Sequence, residues 1–262
     1  GHDMLTILAL AVVGAVAGVL GAILGIGGGL FLVPALSILF DIPIRAAVGT
    51  SLMGVITTSA GVAWLATGKR GADIALALRL QLTTTSGAIC GGLLAGRVSP
   101  TILYVLFAVT VFLLAGYTTY RARRQVVDGL EERLYRPDYV PQQWPAGLSL
   151  SFVAGILSGL LGVGGGFLQV PMMYALMGIP LGIATATSNF MVGITAAASF
   201  FVYFGRGDVY PLLAVPTAVG VFAGALAGAR LAPRLRASWI RMALILLLIL
   251  MGAQMLWKGV GA

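Results

Sequence analysis

The sequence predicts an all-α polytopic membrane protein, built as two inverted repeats with about eight full spans and two short helices. Three observations predict it. Of 262 residues, 59% are hydrophobic and only 9% are charged. Mean hydropathy is +1.02, more apolar surface than a soluble chain of this length can hide. The apolar residues fall into runs long enough to cross a bilayer. The first half of the chain also recurs in the second.

Residues 1–3, Gly1-His2-Asp3 before Met4, read as an expression scar. Met4 leads directly into an apolar segment, so no cleavable signal peptide is expected. Apolar runs cover 5–24, 44–67, 74–96, 101–120, 147–161, 181–204, 210–231 and 238–257. Most approach the ~20 residues that span ~30 Å of hydrocarbon. The runs 30–40 and 167–177 are about half as long. The polar stretch 121–146 holds Arg121, Arg123, Arg124, Glu131, Glu132, Arg133 and Arg136 and ends in Pro-rich sequence. It reads as a basic cytoplasmic linker between a first repeat, 4–120, and a second, 147–262.

The repeat is direct in sequence. Gly25-Ile26-Gly27-Gly28-Gly29 matches Gly162-Val163-Gly164-Gly165-Gly166. Val33-Pro34 matches Val170-Pro171, Ile42-Pro43 matches Ile179-Pro180, and Thr50-Ser51 matches Thr187-Ser188. The offset is 137 residues throughout (162 less 25), with about 13 identities in 31 positions. Inverting the halves puts 12 of the 16 basic residues on the linker side, and a parallel arrangement puts 10 there. The positive-inside rule therefore favours inversion. It also explains the net charge of +8 without a nucleic-acid partner.

Each Gly triplet interrupts an apolar run and precedes a half-length helix. Such a helix start offers free N–H groups and a positive dipole end, both suited to an anion. Paired broken helices at corresponding positions point to a transporter's midplane site. The competing reading is that the glycines only permit close helix packing; their duplication favours the site. The candidate substrate-binding residues are Gly27, Gly28, Gly29, Thr50 and Ser51 in the first half. In the second they are Gly164, Gly165, Gly166, Gln169, Thr187, Ser188 and Asn189. Gln169 breaks the symmetry, because its counterpart is Leu32. Arg79, Gln81 and Thr84 are candidates for attracting or gating an anion. Arg79 can equally reach the interface with its charge while its stem stays apolar.

No predicted span holds a carboxylate at its centre, and past the scar the chain has no histidine. A metal-cation carrier, a side-chain proton relay and a hydrolase are therefore disfavoured. No enzyme activity, cofactor or metal is expected. The single Cys90 precludes an intrachain disulfide and reads as a small buried hydrophobe. Trp64, Trp144, Trp239 and Trp257 lie near span ends, as interfacial anchors do.

The doubled Gly-x-Gly-Gly-Gly, Val-Pro and Thr-Ser motifs around a basic linker resemble the TauE/SafE family of sulfite and organosulfonate exporters. The resemblance covers essentially the whole chain after the scar. It implies a permease of a bacterial or archaeal inner membrane that moves small sulfur-containing anions. Its motif falls on Gly27, Gly28, Gly29, Val33, Pro34, Thr50 and Ser51, and again on Gly164, Gly165, Gly166, Val170, Pro171, Thr187 and Ser188. The resulting expectation is a carrier whose repeats rock against each other. An anion channel of the same fold and a membrane assembly subunit without transport remain the rivals. The expected partners are a small anion and the lipid bilayer.

Overall fold

The computed structural model describes residues 2–24, 27–66, 72–125, 139–231 and 237–261. Among these there are ten α-helices. In chain order they are α1 (His2–Leu24), α2 (Gly29–Leu39), α3 (Ile44–Ala66), α4 (Ile74–Ala95) and α5 (Pro100–Gln125), then α6 (Trp144–Leu161), α7 (Gly166–Ala175), α8 (Leu181–Arg206), α9 (Pro211–Leu231) and α10 (Ala237–Val260). Five meet both the length and the hydropathy needed to cross a membrane: Met4–Ile23, Pro100–Tyr117, Trp144–Leu161, Gly182–Arg206 and Pro211–Leu231.

The repeat is carried into the helices. α2, α3, α4 and α5 begin at 29, 44, 74 and 100, and α7, α8, α9 and α10 begin at 166, 181, 211 and 237, each 137 later. The short helices end for matching reasons. Asp41 and Gly178, which are equivalent, both take positive φ (54° and 69°). Pro43 and Pro180 follow, each accepting the first N–H bond of the next helix, from Ala47 and Ala184. Proline cannot extend the preceding helix, but it suits the start of the next. The helices flanking the linker reach further into it than the apolar runs. α5 continues to Gln125, because arginines are good helix formers outside the hydrocarbon. α6 starts at Trp144, with a proline at its N-terminal turn.

Small residues decide which helices pair. A methyl group added at Gly14 or Gly18 of α1 would lie 2.3 or 2.2 Å from the carbonyl oxygen of Thr217 or Val221 in α9. From the other side, Gly220 and Gly224 sit equally tight on Ala11 and Ala15. The numbers rise together, so α1 and α9 run parallel. The same weld joins α4 and α6, where Gly87 and Gly91 lie on Phe152 and Ile156, and Gly155 and Gly159 lie on Thr84 and Ala88. Without a hydrophobic drive between helices in lipid, such backbone approach is the main source of packing energy. Each first helix of a repeat is thus fastened to the fourth helix of the other repeat.

Equivalent helices pack against one another in the opposite sense. Gly49 of α3 meets Val209 just past α8, whereas Ser59 near the far end of α3 donates to the Asn189 carbonyl early in α8. α3 and α8 are therefore antiparallel. So are α5 and α10, where Gly252 meets Phe112 and Gly259 meets Tyr104. α7 runs back along α6, with Ser151 donating to the Met172 sulfur and Gly147 against Met177.

Cys90 is exposed rather than buried. In lipid an apolar side chain gains little from facing inward, so position on the helix decides. Leu82, Leu212 and Val219 point outward likewise.

Candidate functional site

The two glycine turns meet. Gly27 and Gly164 hold φ of +81° and +82°, a left-handed conformation that glycine takes without strain. A methyl added at either would meet both Val55 of α3 and Val192 of α8, at 3.5 and 3.6 Å from Gly27 and at 2.7 Å from Gly164. Val55 and Val192 are themselves repeat partners, so the cluster is built from two equivalent pairs. The turns lead into α2 and α7 without side-chain caps at Gly28 or Gly165. Phe31 and Leu32 donate to the Gly28 carbonyl, and Leu168 and Gln169 donate to that of Gly165. The amides of Gly29, Leu30, Gly166 and Phe167 are thus left at the helix starts, without an acceptor among the described residues. Such ends attract negative charge. Gly25 and Ile26 lie outside the described residues.

The hairpin tips reach past the centre. Ser51 donates to the Gly162 carbonyl at 2.8 Å and to that of Gly29 at 3.3 Å, which ties α3 to both hairpins. Gly29 is packed so closely that an added methyl would lie 2.3 Å from the Gly162 oxygen. The Thr-Ser pairs do not converge on one point. Ser51 lies four residues before Val55, and Ser188 four before Val192, on antiparallel helices. At 1.5 Å per residue they stand ~12 Å apart along the axis.

Around Ser188 the polar candidates gather. Gln169 is fully buried. Its Nε2 donates to Thr84 Oγ1 at 3.4 Å, and its Oε1 accepts from Ser188 at 3.3 Å. Thr84 in turn donates to the Leu80 carbonyl. One turn earlier on α4, Gln81 Nε2 donates to Thr85 at 2.7 Å and to Thr195 of α8 at 3.0 Å. Gln81 Oε1 is buried without a partner. Thr187 accepts from the Asp73 amide, and Asp73 caps α4 at Leu76 while taking a hydrogen bond from Tyr139. Burial first, then the Asp73 carboxylate, raises the Tyr139 phenol above its ordinary range.

Thr50 is buried with an unpartnered hydroxyl. Asn189 engages through its backbone carbonyl, which accepts from Ser59. Arg79 is not brought to the turns: it is exposed, 5.4 Å from the Trp144 ring. Thr195 was not among the sequence candidates, although the signal was there, because Thr58 is its repeat partner. Both bond back one turn, Thr58 to Gly54 and Thr195 to Met191. Among the described residues, no group of three or more His, Cys, Asp or Glu could hold a metal ion.

Long apolar helices and two broken helices meeting at a common centre define an integral membrane protein of the transporter class. The family profile described as Sulfite exporter TauE/SafE matches residues 10–255, and the chain belongs to that family. It is 27% identical to "Probable membrane transporter protein YunE" of Bacillus subtilis (strain 168), over 96% of this chain and 97% of that one. It is also 27% identical to "Probable membrane transporter protein MJ0441" of Methanocaldococcus jannaschii, over 94% of each. A 59-residue stretch is 42% identical to "Sulfite exporter TauE/SafE family protein 5" of Arabidopsis thaliana, over 22% of this chain and 13% of that one. No solved structure matches.

Proposed function

We propose that the chain is a secondary carrier of small sulfur-containing anions, such as sulfite or organosulfonates, in a cytoplasmic (inner) membrane. In this reading residues 4–120 and 147–262 are inverted membrane repeats, each a re-entrant hairpin followed by three crossings (α3–α5 and α8–α10), and 121–146 is a cytoplasmic linker. The antiparallel packing of the equivalent pairs α3/α8 and α5/α10 supports inversion. The α1–α2 and α6–α7 hairpins then enter from opposite faces, and their glycine turns meet mid-membrane.

The observation that carries the proposal is this meeting of two uncapped helix starts beside Val55 and Val192. Their free amides offer an anion site at membrane depth, where irregular backbone is tolerated only inside protein or beside a watery cavity. Ser51, Ser188, Gln169 and Thr84 add neutral donors and acceptors around it. The glycine welds redraw the moving bodies. One is α1, α2, α3 and α9, and the other is α6, α7, α8 and α4, so each repeat lends its fourth helix to the other. Alternating access is then a rocking of these bodies across the α3/α8 crossing.

A negative-inside potential drives an anion outward by about 2.3 kcal/mol per charge per 100 mV. With no carboxylate in the cluster to relay a proton, the carrier works as a uniporter. The test is efflux from liposomes loaded with sulfite under a clamped potential. Expected is saturable, potential-driven, trans-stimulated efflux that persists when proton and sodium gradients are removed. It is lost in Gly164→Val, whose side chain would lie 2.7 Å from both Val55 and Val192, with protein abundance matched. Efflux no faster than from empty vesicles, or large single-channel currents, would overturn the reading.

A further inference from the structure

The equivalent positions of the two halves differ in polarity. Resting on the proposed anion-carrier function, we infer that the site takes its substrate as a proton-bearing monoanion, with Gln81 Oε1 accepting the hydrogen bond from the substrate's own O–H. Gln81 is 7% exposed. Both of its amide protons are committed, to Thr85 and Thr195, which turns Oε1 away from those hydroxyls. That oxygen is buried and meets no donor among the described residues. A buried acceptor left unpaired is costly, and a ligand that supplies a donor relieves the cost. A fully ionised oxyanion has only acceptors, so it would face Gln81 Oε1 with lone pairs.

Charge favours the same species. The surrounding network of Thr84, Thr85, Gln169, Ser188 and Thr195 is neutral. α6 carries no titratable residue, and α7 carries only Tyr174. On α4 the charged groups are the cap Asp73, at the first turn, and Arg79, exposed toward Trp144; Cys90 is exposed. On α8, Tyr203 and Arg206 lie two turns or more beyond Thr195, and Arg206 pairs with Asp208. Among the described residues no cation balances a second negative charge at the network, and burying it uncompensated is prohibitive. The amide at 81 has no twin, since the equivalent residue is the buried Ala218.

The purified chain in liposomes tests this with two substrate series. The first is labelled sulfite at fixed total concentration and potential, with pH stepped from one unit below to one unit above its second ionisation. Flux should track the hydrogensulfite fraction, falling about tenfold across that window. The second compares 2-hydroxyethanesulfonate with ethanesulfonate, both monoanions at every pH used and differing by one hydroxyl. The hydroxyl-bearing anion should show a KM lower by about tenfold, and Gln81→Ala should remove the difference. Ala is already tolerated at the equivalent position 218, and if the variant still fails to fold, the wild-type comparison stands alone. Sulfite flux independent of pH, together with equal KM for the two sulfonates, overturns this inference and leaves the carrier intact. Absence of flux for every anion overturns the carrier itself.

Discussion

The two hairpins share the turn at Gly27 and Gly164 (φ +81° and +82°) but differ one residue on, where Gly28 is right-handed (φ −65°) and Gly165 left-handed (φ +79°), and their surroundings differ in polarity. Beside the α1–α2 hairpin, Leu32 fills a notch over Gly54, 2.3 Å from where a methyl would sit, with Val221 next to it. At the equivalent places beside α6–α7 stand Gln169, Met191 and Thr84, and Gln169 bonds Thr84 and Ser188. At these positions the first half is apolar and the second polar. The difference teaches that the helix breaks are a structural property shared by both halves, whereas the buried amide of Gln169 belongs to one. A site on the symmetry axis would not need Gln169 or Gln81. A site displaced toward α4, α7 and α8 would.

The largest effects should fall where the halves are alike. Gly18 and Gly155 are equivalent, and an added methyl meets a carbonyl oxygen at 2.2 and 2.1 Å. Neither helix can retreat without opening a weld that runs several turns. Gly18→Val and Gly155→Val should each cost at least the ~1–3 kcal/mol typical of overpacking and abolish monodisperse protein in detergent. Gly116→Val should not, because its position faces open space. Equal damage from Gly18→Val and Gly155→Val would support two matched bodies. Tolerance of either would break the match.

Next come the substitutions that make the halves chemically alike. Gln169→Leu copies Leu32 and should fold with near-normal thermal stability while anion flux drops at least tenfold. The reciprocal Leu32→Gln buries an amide beside Val221 with no partner, and should destabilise by ~1–3 kcal/mol without improving flux. If Gln169→Leu transports normally, the polar half is only packing, and the comparison loses its functional meaning.

Much of this was legible before any coordinates. Helix order and the short α2 and α7 follow from glycine, proline and apolar run length. These are local constraints that a sequence displays. The cluster of Gln169, Thr84 and Ser188 was legible only as separate names, because α4 is brought to α7 by welds whose partners are far apart in sequence. The same gap misassigned Cys90, since lipid removes the penalty that makes burial readable in a soluble chain. Nor does the sequence show that close helix packing crosses the repeat boundary, as Gly155 on Thr84 and Gly18 on Val221 do. The signal for Thr195 was present in its match to Thr58 and lay outside the densest block of identities.

A smaller contrast separates the two serines. Ser51 satisfies the Gly162 carbonyl at 2.8 Å, so Ser51→Ala leaves a buried backbone acceptor open and should cost ~1–3 kcal/mol in unfolding free energy. Ser188 bonds a side chain at the longer 3.3 Å, and Ser188→Ala should cost less stability but more flux. Thermal unfolding and efflux measured on the same preparations separate the two. A reversed order would place the substrate at the α3 end rather than at α8.

The smallest effect lies at the mouth of the first hairpin. Lys258 of α10 pairs with Asp41 at 2.5 Å and donates to the Ser37 carbonyl, while the second hairpin has Gly178 at the place of Asp41. Hydrogen bonding and charge from Lys258 hold the Asp41 carboxyl below the usual carboxylate range. A lowered folded pKa means that the pair stabilises above the unfolded pKa and is lost as pH falls through the folded value. Asp41 is 89% exposed at its side chain, so salt and water screen the pair strongly. Asp41→Asn should therefore be slightly less stable than the parent at neutral pH and low salt. It should be indistinguishable at high salt, and the gap should close in acid below the ordinary carboxylate range. A gap that survived both high salt and acid would mean that the Lys258 anchor acts through Ser37 and the backbone. The first hairpin would then be held at its mouth by a tie that Gly178 cannot supply in the second, and the rocking of the two bodies would be uneven from the start.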